Sequence, residues 1–270
     1  MKYLFLYVLF FSLNVYSQGK IDGFYRGKGN STAVLGVGLE NFNNYYAGKT
    51  KTDLNREGQY VNLFLSHGIS SNLDAQVSLP YIESGRNKDF QDISVFMKYR
   101  FYKKEKNNLE LSLGLGFSTP VSNYSIGGLN DIGQQATVIE TRFMAHYKYH
   151  KNWFATIQSG YSFKFEETPN SLPFTLKIGQ ALNKWYYDVF YDYQYAFGGS
   201  DYRGTPPPKS FSELGVNFHK IGSTLYKPLT PNFGAYLSIS HILKGRNTFT
   251  GPSYGLGLVY NFKHKKDLKQ

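Results

Sequence analysis

A period of two runs through this chain in about a dozen short segments. In one of them Leu109, Leu111, Leu113, Leu115 and Phe117 alternate with Glu110, Ser112, Gly114 and Gly116. In another Trp153, Ala155, Ile157, Tyr161, Phe163 and Phe165 alternate with Thr156, Gln158, Gly160, Ser162 and Lys164. Successive side chains of a strand point to opposite faces, so each segment has one apolar face and one polar face. The apolar face carries large aromatics and the polar face carries charges. That division suits a wall with lipid on one side and water on the other.

The pattern predicts twelve strands, at about 32–45, 57–69, 73–82, 90–102, 109–119, 135–149, 153–165, 173–182, 185–197, 211–221, 232–242 and 253–262. Most are long enough to cross a bilayer at a tilt, which takes about 9–11 residues. The links alternate between short and long. Ser70 to Asn72, Lys103 to Asn108, His150 to Asn152 and Asn183-Lys184 are short, while Ala47 to Arg56, Val121 to Gln134 and Gly198 to Ser210 are long. Short turns on one side and long loops on the other are the asymmetry of outer-membrane barrels, whose short turns lie in the periplasm. Gly222 to Pro231 breaks the rule by being a long link on the short side. The strand before it is therefore open to running further.

The rings sort into two bands. Phe101, Tyr149, Trp153, Trp185, Phe233 and Phe262 lie beside the short turns, and Tyr81, Phe117, Phe163 and Phe197 lie near the opposite ends. Aromatic girdles at both membrane boundaries account for this. The fold class that follows is all-β: a transmembrane antiparallel up-and-down barrel, residues 32–262, in the outer membrane of a diderm bacterium.

Composition agrees. The chain has 24 Tyr and 22 Phe, more rings than a soluble domain of this length needs, yet its mean hydropathy is −0.41. A polar lumen reconciles the two. Residues 1–17 read as a secretory signal, with Lys2 before an apolar run and a small residue, Ser17, at the end. Residues 18–31 are Gly-rich and carry Ile21, Phe24 and Tyr25; they suit a plug in the periplasmic mouth or a loose leader. Residues 263–270 form a polar periplasmic tail. With no cysteine, disulfide frameworks and cysteine metal sites are excluded. The net charge of +11 invites a nucleic-acid reading, but much of the excess sits in turns and the tail, so no nucleic-acid partner is expected.

With the apolar faces outward, the inward acids are Asp74, Asp92, Glu110, Glu140, Asp188, Asp192 and Glu213, and the inward bases are Lys98, Arg100, Arg142, Lys148, Lys164 and Lys177. The signs nearly balance, which disfavours a pore selective for one sign of ion and suits ion pairs that brace the wall. Asp92, Lys98, Arg100, Glu140, Arg142, Asp188 and Asp192 are the leading lumen-lining candidates. Inward glycines, among them Gly68, Gly114, Gly116, Gly179, Gly234 and Gly257, leave room; inward Phe64, Phe96, Tyr186, Phe190 and Tyr236 take some back. A narrow path for a small, partly hydrophobic molecule follows. None of the six histidines sits in a nucleophile motif, and no metal site, cofactor site or phosphate loop emerges. No enzyme activity is expected.

Two stretches carry a resemblance. Phe90 to Phe101, with Asp92, Lys98, Tyr99 and Arg100, followed by Leu109 to Pro120, resembles a run in the barrel proteins named for the meta-pathway of phenol degradation. Leu243 to Phe262, with Gly245-Arg246-Asn247 and a Gly-rich final strand, is similar to that family's close. The resemblance implies an outer-membrane channel for small hydrophobic or aromatic compounds. The expected partners are outer-membrane lipid, the barrel-assembly machinery during biogenesis, and a small hydrophobic solute. The alternative is a closed structural or surface-interaction barrel without transport.

Overall fold

The computed structural model describes residues 22–104 and 108–263. The segment read as a secretory signal, the start of the leader, residues 105–107 and the tail beyond Lys263 lie outside them. Among the described residues the strands are β1 (Ser31–Phe42), β2 (Asn44–Ala47), β3 (Thr50–Thr52), β4 (Arg56–Gly68), β5 (Leu73–Ser84), β6 (Asn87–Phe90), β7 (Asp92–Lys104), β8 (Leu109–Pro120), β9 (Val138–Tyr149), β10 (Trp153–Lys164), β11 (Ser171–Ala181), β12 (Tyr186–Ala196), β13 (Asn217–Pro228), β14 (Phe233–Arg246) and β15 (Thr248–Phe262).

Twelve of these close a barrel in which every strand pairs antiparallel with its sequence neighbours, and β1 closes on β15 with Ser31 opposite Phe262. Strands β2, β3 and β6 extend the wall beyond one rim. We call the rim with Ser31 and Phe262 the terminal rim and the other the loop rim. Closure pairs every wall strand on both sides, which is what a lipid-embedded backbone requires. No described helix is long and apolar enough to cross a membrane; the strands cross instead.

The alternation holds at the level of single residues. Leu113, Leu115 and Phe117 are about half exposed, while Ser112 and Glu110 between the strands' outer positions are buried inside. A bulge between Arg100 and Tyr102 shifts the beat, so Phe101 and Tyr102 both face outward (46% and 38% exposed) beside the terminal rim. Tyr149, Trp153, Trp185 and Phe262 are also exposed there, and Phe233 is half-buried at an outward position.

Three expectations are corrected. The tenth strand spans Asn217–Pro228 rather than 211–221, because Phe211–Glu213 is a 3₁₀ turn; Glu213 therefore belongs to a loop and not to the lumen wall. The turn that follows shortens to 229–232, which restores the short-turn rule. The last two strands meet at Asn247 (φ 48°) instead of flanking a loop over 244–252, so they project well past the loop rim. The inward glycines do not open the lumen. A side chain at Gly116 would overlap the Phe96 ring, one at Gly222 the Phe190 ring, and one at Gly36 or Gly257 the Tyr236 ring. Each of these glycines is a recess occupied by a ring from a nearby strand: β7 for Gly116, β12 for Gly222 and β14 for Gly36 and Gly257. The pairing between β10 and β11 lapses near Pro173, which has no N–H to give to the ladder.

Candidate functional site

Chain packs into the barrel near both rims, and a cavity lies between the two. At the terminal rim the segment before β1 turns back into the barrel. Gly68 sits against the backbone of Gly27, and Gly23 sits against the His146 ring; a Cβ at either would clash. Backbone bonds from Gly29 N to Gly68 O (2.7 Å) and from Gly68 N to Asn30 O (2.9 Å) fix the entry. Phe24 packs edge-on against His146 (4.9 Å), Phe154 (5.0 Å) and Tyr186 (6.2 Å). The Tyr25 hydroxyl donates to Ser112 Oγ (2.7 Å), and Lys98 Nζ and the Arg100 guanidinium lie 4.2 and 4.4 Å from its ring centre. Residues 22–30 thus pack inside the terminal end of the barrel, and we refer to them as the plug.

Charge anchors the plug. Lys98, fully buried, donates to Asp22 O (2.8 Å), Asp22 Oδ1 (3.2 Å) and Phe24 O (2.6 Å), and lies 3.8 Å from Asp74 Oδ2. Asp74 Oδ2 accepts from Arg26 N (3.1 Å), and Arg26 Nη2 bonds Asp22 Oδ2 (2.8 Å). Two acids and two bases make a neutral cluster. Burial pushes the Asp22 carboxyl up, but Lys98 and Arg26 outweigh it and hold the group well below the usual carboxylate range. Burial also raises the Tyr25 phenol, so it stays a neutral donor.

The remaining lumen charges are paired along the wall. Glu110 bridges Arg100 (2.7 Å) and Lys148 (2.8 Å); Glu140 accepts from Arg142 Nε (2.8 Å) and Ser162 Oγ (2.9 Å). Asp188 lies 3.4 Å from Lys177 and accepts from the Tyr186 hydroxyl (2.6 Å), and Asp192 accepts from Thr175 Oγ1 (2.6 Å). All seven lumen candidates therefore face inward, and each is committed to a partner. His146, passed over in the sequence because no motif surrounds it, is buried under the plug and shares a hydrogen bond with Thr156 Oγ1 (2.7 Å). Among the described residues there is no cluster that could hold a metal ion.

A lid built from loops closes the loop rim. The buried rings Phe42, Tyr45 and Phe249 pack with Leu54, Leu129, Tyr202 and Ile242. Asn247, buried at the tip of the β14–β15 hairpin, accepts from Gly48 N and Tyr202 N (both 2.9 Å) and donates to Ser200 O and Gly215 O (both 3.0 Å). Arg246 donates to Gly198 O and Gly199 O (both 2.7 Å) and pairs with Asp201. The loop over 121–137 dips furthest inward. The Tyr124 hydroxyl donates to Asp92 Oδ1 (2.7 Å), and Gln134 Nε2 donates to Leu214 O (3.1 Å). Burial, and then the Asp92 carboxylate, raise the Tyr124 phenol.

Between plug and lid lies a cavity of about 690 Å³. Asp22, Phe24 and Arg26 form its floor. Its walls mix rings and aliphatics (Phe64, Phe96, Tyr226, Tyr236, Val259) with neutral polar groups (Asn62, Gln76, Asn261). A second space of about 380 Å³, lined by Glu140, Arg142, Asp192 and Gln134, lies under the lid and shares Gln91, Asp92 and Ser118 with the first.

The comparisons with known proteins agree with this architecture. The sequence profile of the family described as "Putative MetA-pathway of phenol degradation" matches residues 21–260. The structure is similar to that of the COG4313 outer membrane channel from Pseudomonas putida F1, with a TM-score of 0.73 at 13% identity, covering 90% of this chain and 99% of that one. It is also similar to the NanC porin (TM-score 0.56, 13% identity, 85% and 98% covered) and the KdgM porin (TM-score 0.52, 10% identity, 86% and 99% covered). At such identities the likeness speaks for the fold. No curated protein matches the chain in sequence.

Proposed function

Because the chain belongs to the MetA-pathway of phenol degradation family, whose profile spans nearly all of the barrel, we propose that it is a passive outer-membrane channel for small, uncharged hydrophobic or aromatic compounds. The observation that carries this reading is the cavity between plug and lid. Its volume of about 690 Å³ suits a molecule of one or two rings, and its lining joins the rings of Phe24, Phe64, Phe96 and Tyr236 to polar side chains that orient a ligand. The charges of its floor, Asp22 and Arg26, are paired with each other, and Asp22 also with Lys98, so an ion entering there would have to break a pair or remain uncompensated. Uptake through the barrel requires plug and lid to move, and both are held by side-chain contacts that can be removed one at a time.

The second reading is a barrel that is shut for good. The contacts that hold residues 22–30 and the loop over 121–137 inside the barrel favour it.

Equilibrium binding of naphthalene to the detergent-solubilised protein, followed by flux into proteoliposomes, separates the two. The channel reading expects saturable binding that Gly116→Phe weakens by crowding the Phe96 side of the cavity. It also expects flux above that of protein-free vesicles. Absence of both binding and flux for aromatics of one or two rings would leave the closed barrel standing.

A further inference from the structure

The two rims differ in exposed charge. At the terminal rim the exposed charged side chains described are Lys28, Lys103, Lys104, Lys148, Lys184, Lys227 and Lys263, and no exposed acid stands among them; Asp22, Asp74 and Glu110 point inward and are paired, Glu110 with Arg100 and Lys148. At the loop rim both signs are exposed: Asp53, Glu57, Glu166 and Glu167 alongside Lys49, Lys51, Arg86, Lys88, Arg203, Lys209 and Lys244. Exposed positive charge with no exposed acid beside it is thus found at one height, just past the girdle of Phe101, Tyr149, Trp153, Trp185 and Phe262.

One place in this collar has the makings of a headgroup site. Lys227 occupies an outward position near the end of β13, two residues beyond the lipid-facing Leu225. Its Nζ lies 4.6 Å from the centre of the Trp185 ring. Tyr187 meets Trp153 edge-on beside it (6.0 Å, 90°). Lys184 stands exposed in the turn that precedes Trp185, and β12 and β13 pair through Tyr186 and Tyr226, which brings the two lysines to one strand junction. Two cations whose stems run along an aromatic shelf at the membrane boundary match a phosphodiester whose acyl chains continue down the barrel wall.

We propose that the terminal rim selectively binds anionic glycerophospholipids, with Lys184, Trp185 and Lys227 forming the principal site. The charge complementarity commits the collar to a lipid leaflet: the cations lie at headgroup height, beside rings that need hydrocarbon below them.

Both tryptophans of the chain lie on this rim, so they report on it directly. The full chain is refolded into phosphatidylcholine vesicles containing brominated phosphatidylglycerol or, in parallel, brominated phosphatidylcholine, and tryptophan quenching is measured. The anionic lipid is expected to associate about fivefold more strongly than the zwitterionic one at low salt, falling towards equality in molar salt. In Lys184→Gln/Lys227→Gln the preference is expected to drop to less than twofold, with folding verified by heat-dependent gel migration. Equal quenching by the two lipids in the unaltered protein overturns the proposal, as does a preference that survives in the double variant. A third arm adds inorganic phosphate against chloride of equal ionic strength: equal displacement supports a lipid site, and selective displacement by phosphate would show an anion site that ignores the lipid.

Discussion

The two ends of the lumen are closed by different physics. The plug is a short stretch of chain whose rings Phe24 and Tyr25 pack on the wall and whose anchor is a charge cluster. At the centre of that cluster is one buried lysine, three of whose partners are the carbonyls of Asp22 and Phe24 and the Asp22 carboxylate. The lid is a set of loops with its own aromatic cluster and an asparagine that ties four backbone groups together. A closure that rests on one charge cluster fails as a unit when one member is removed. A closure that rests on packing and many neutral bonds loosens by degrees. Strand β7 reaches both: Lys98 holds the plug and Asp92 receives the lid's Tyr124, on the same face and about 20 Å apart at strand rise. Molecules in the cavity lie between these two latches.

The largest expected effect is at the plug. Lys98→Met keeps the length of the side chain and removes the charge, leaving Asp22 and Asp74 buried beside one another with only Arg26 to compensate. Breaking a buried pair in this way costs roughly 3–5 kcal/mol, enough to expel the plug. Hydrogen exchange should speed up severalfold in residues 22–30 while the lid is unchanged. A lid that loosens together with the plug would break the comparison, because it would mean that the two closures are one cooperative unit.

The lid comes next. Asn247→Ala removes bonds to Gly48, Tyr202, Ser200 and Gly215 and places alanine at a positive φ (48°) that asparagine tolerates better. About 2–3 kcal/mol of local stability should be lost. Hydrogen exchange should accelerate over 198–216 and around Gly48, with protection of 22–30 intact. The cluster of Phe42, Tyr45 and Phe249 stays in place, so the loops should loosen without unfolding the wall.

A smaller effect isolates the inward loop. Tyr124→Phe keeps the ring and loses the bond to Asp92, at about 1–2 kcal/mol. The loop over 121–137 should open more often, and binding of an aromatic solute should reach equilibrium faster with its affinity little changed. Slower equilibration would mean that solutes enter by another way.

How much of this was legible in the sequence depends on whether the signal was local. The two-residue beat, the short turns and the ring bands are local, so twelve strands, their facing and the terminal girdle could be read directly. Asp92, Lys98 and Arg100 could be placed inward for the same reason. What Lys98 touches could not, since its acceptors are backbone carbonyls of a segment with no periodicity. The role of the inward glycines was equally hidden. Whether Gly116 is a space or a recess for Phe96 depends on the register between β7 and β8. The misplaced tenth strand has a local cause: the apolar residues Phe211, Leu214 and Val216 continue the look of a strand through a 3₁₀ turn, and Gly222 interrupts the real one. Arg246 and Asn247 were visible only as part of a family-like ending; their work as the hub of the lid needs the loops folded around them.

The smallest expected effect is of pH, and it has opposite character at the two ends. In the plug, the Asp22 carboxyl is held below its ordinary value, so its contribution is present above the unfolded value of 3.8 and is lost only as pH falls through the still lower folded value. The plug should therefore stay seated from pH 7 down to about 4. In the lid, burial raises the Asp131 carboxyl, although Gly127 N (2.7 Å) and Gly128 N (3.0 Å) donate to it and Arg56 opposes the rise. A raised folded value means that folding is favoured by the proton: the contribution is complete below 3.8 and is lost as pH rises through the folded value. Hydrogen exchange of residues 121–137 should then slow slightly, after correction for intrinsic rates, as pH falls from neutral towards 4, while residues 22–30 show no change. Asp131→Asn, which fixes the neutral form and keeps an oxygen to accept from the glycine amides, should abolish the pH dependence of the lid. If both ends respond alike, or if the dependence survives in Asp131→Asn, the contrast between a charge-held plug and a packed lid does not extend to their titration.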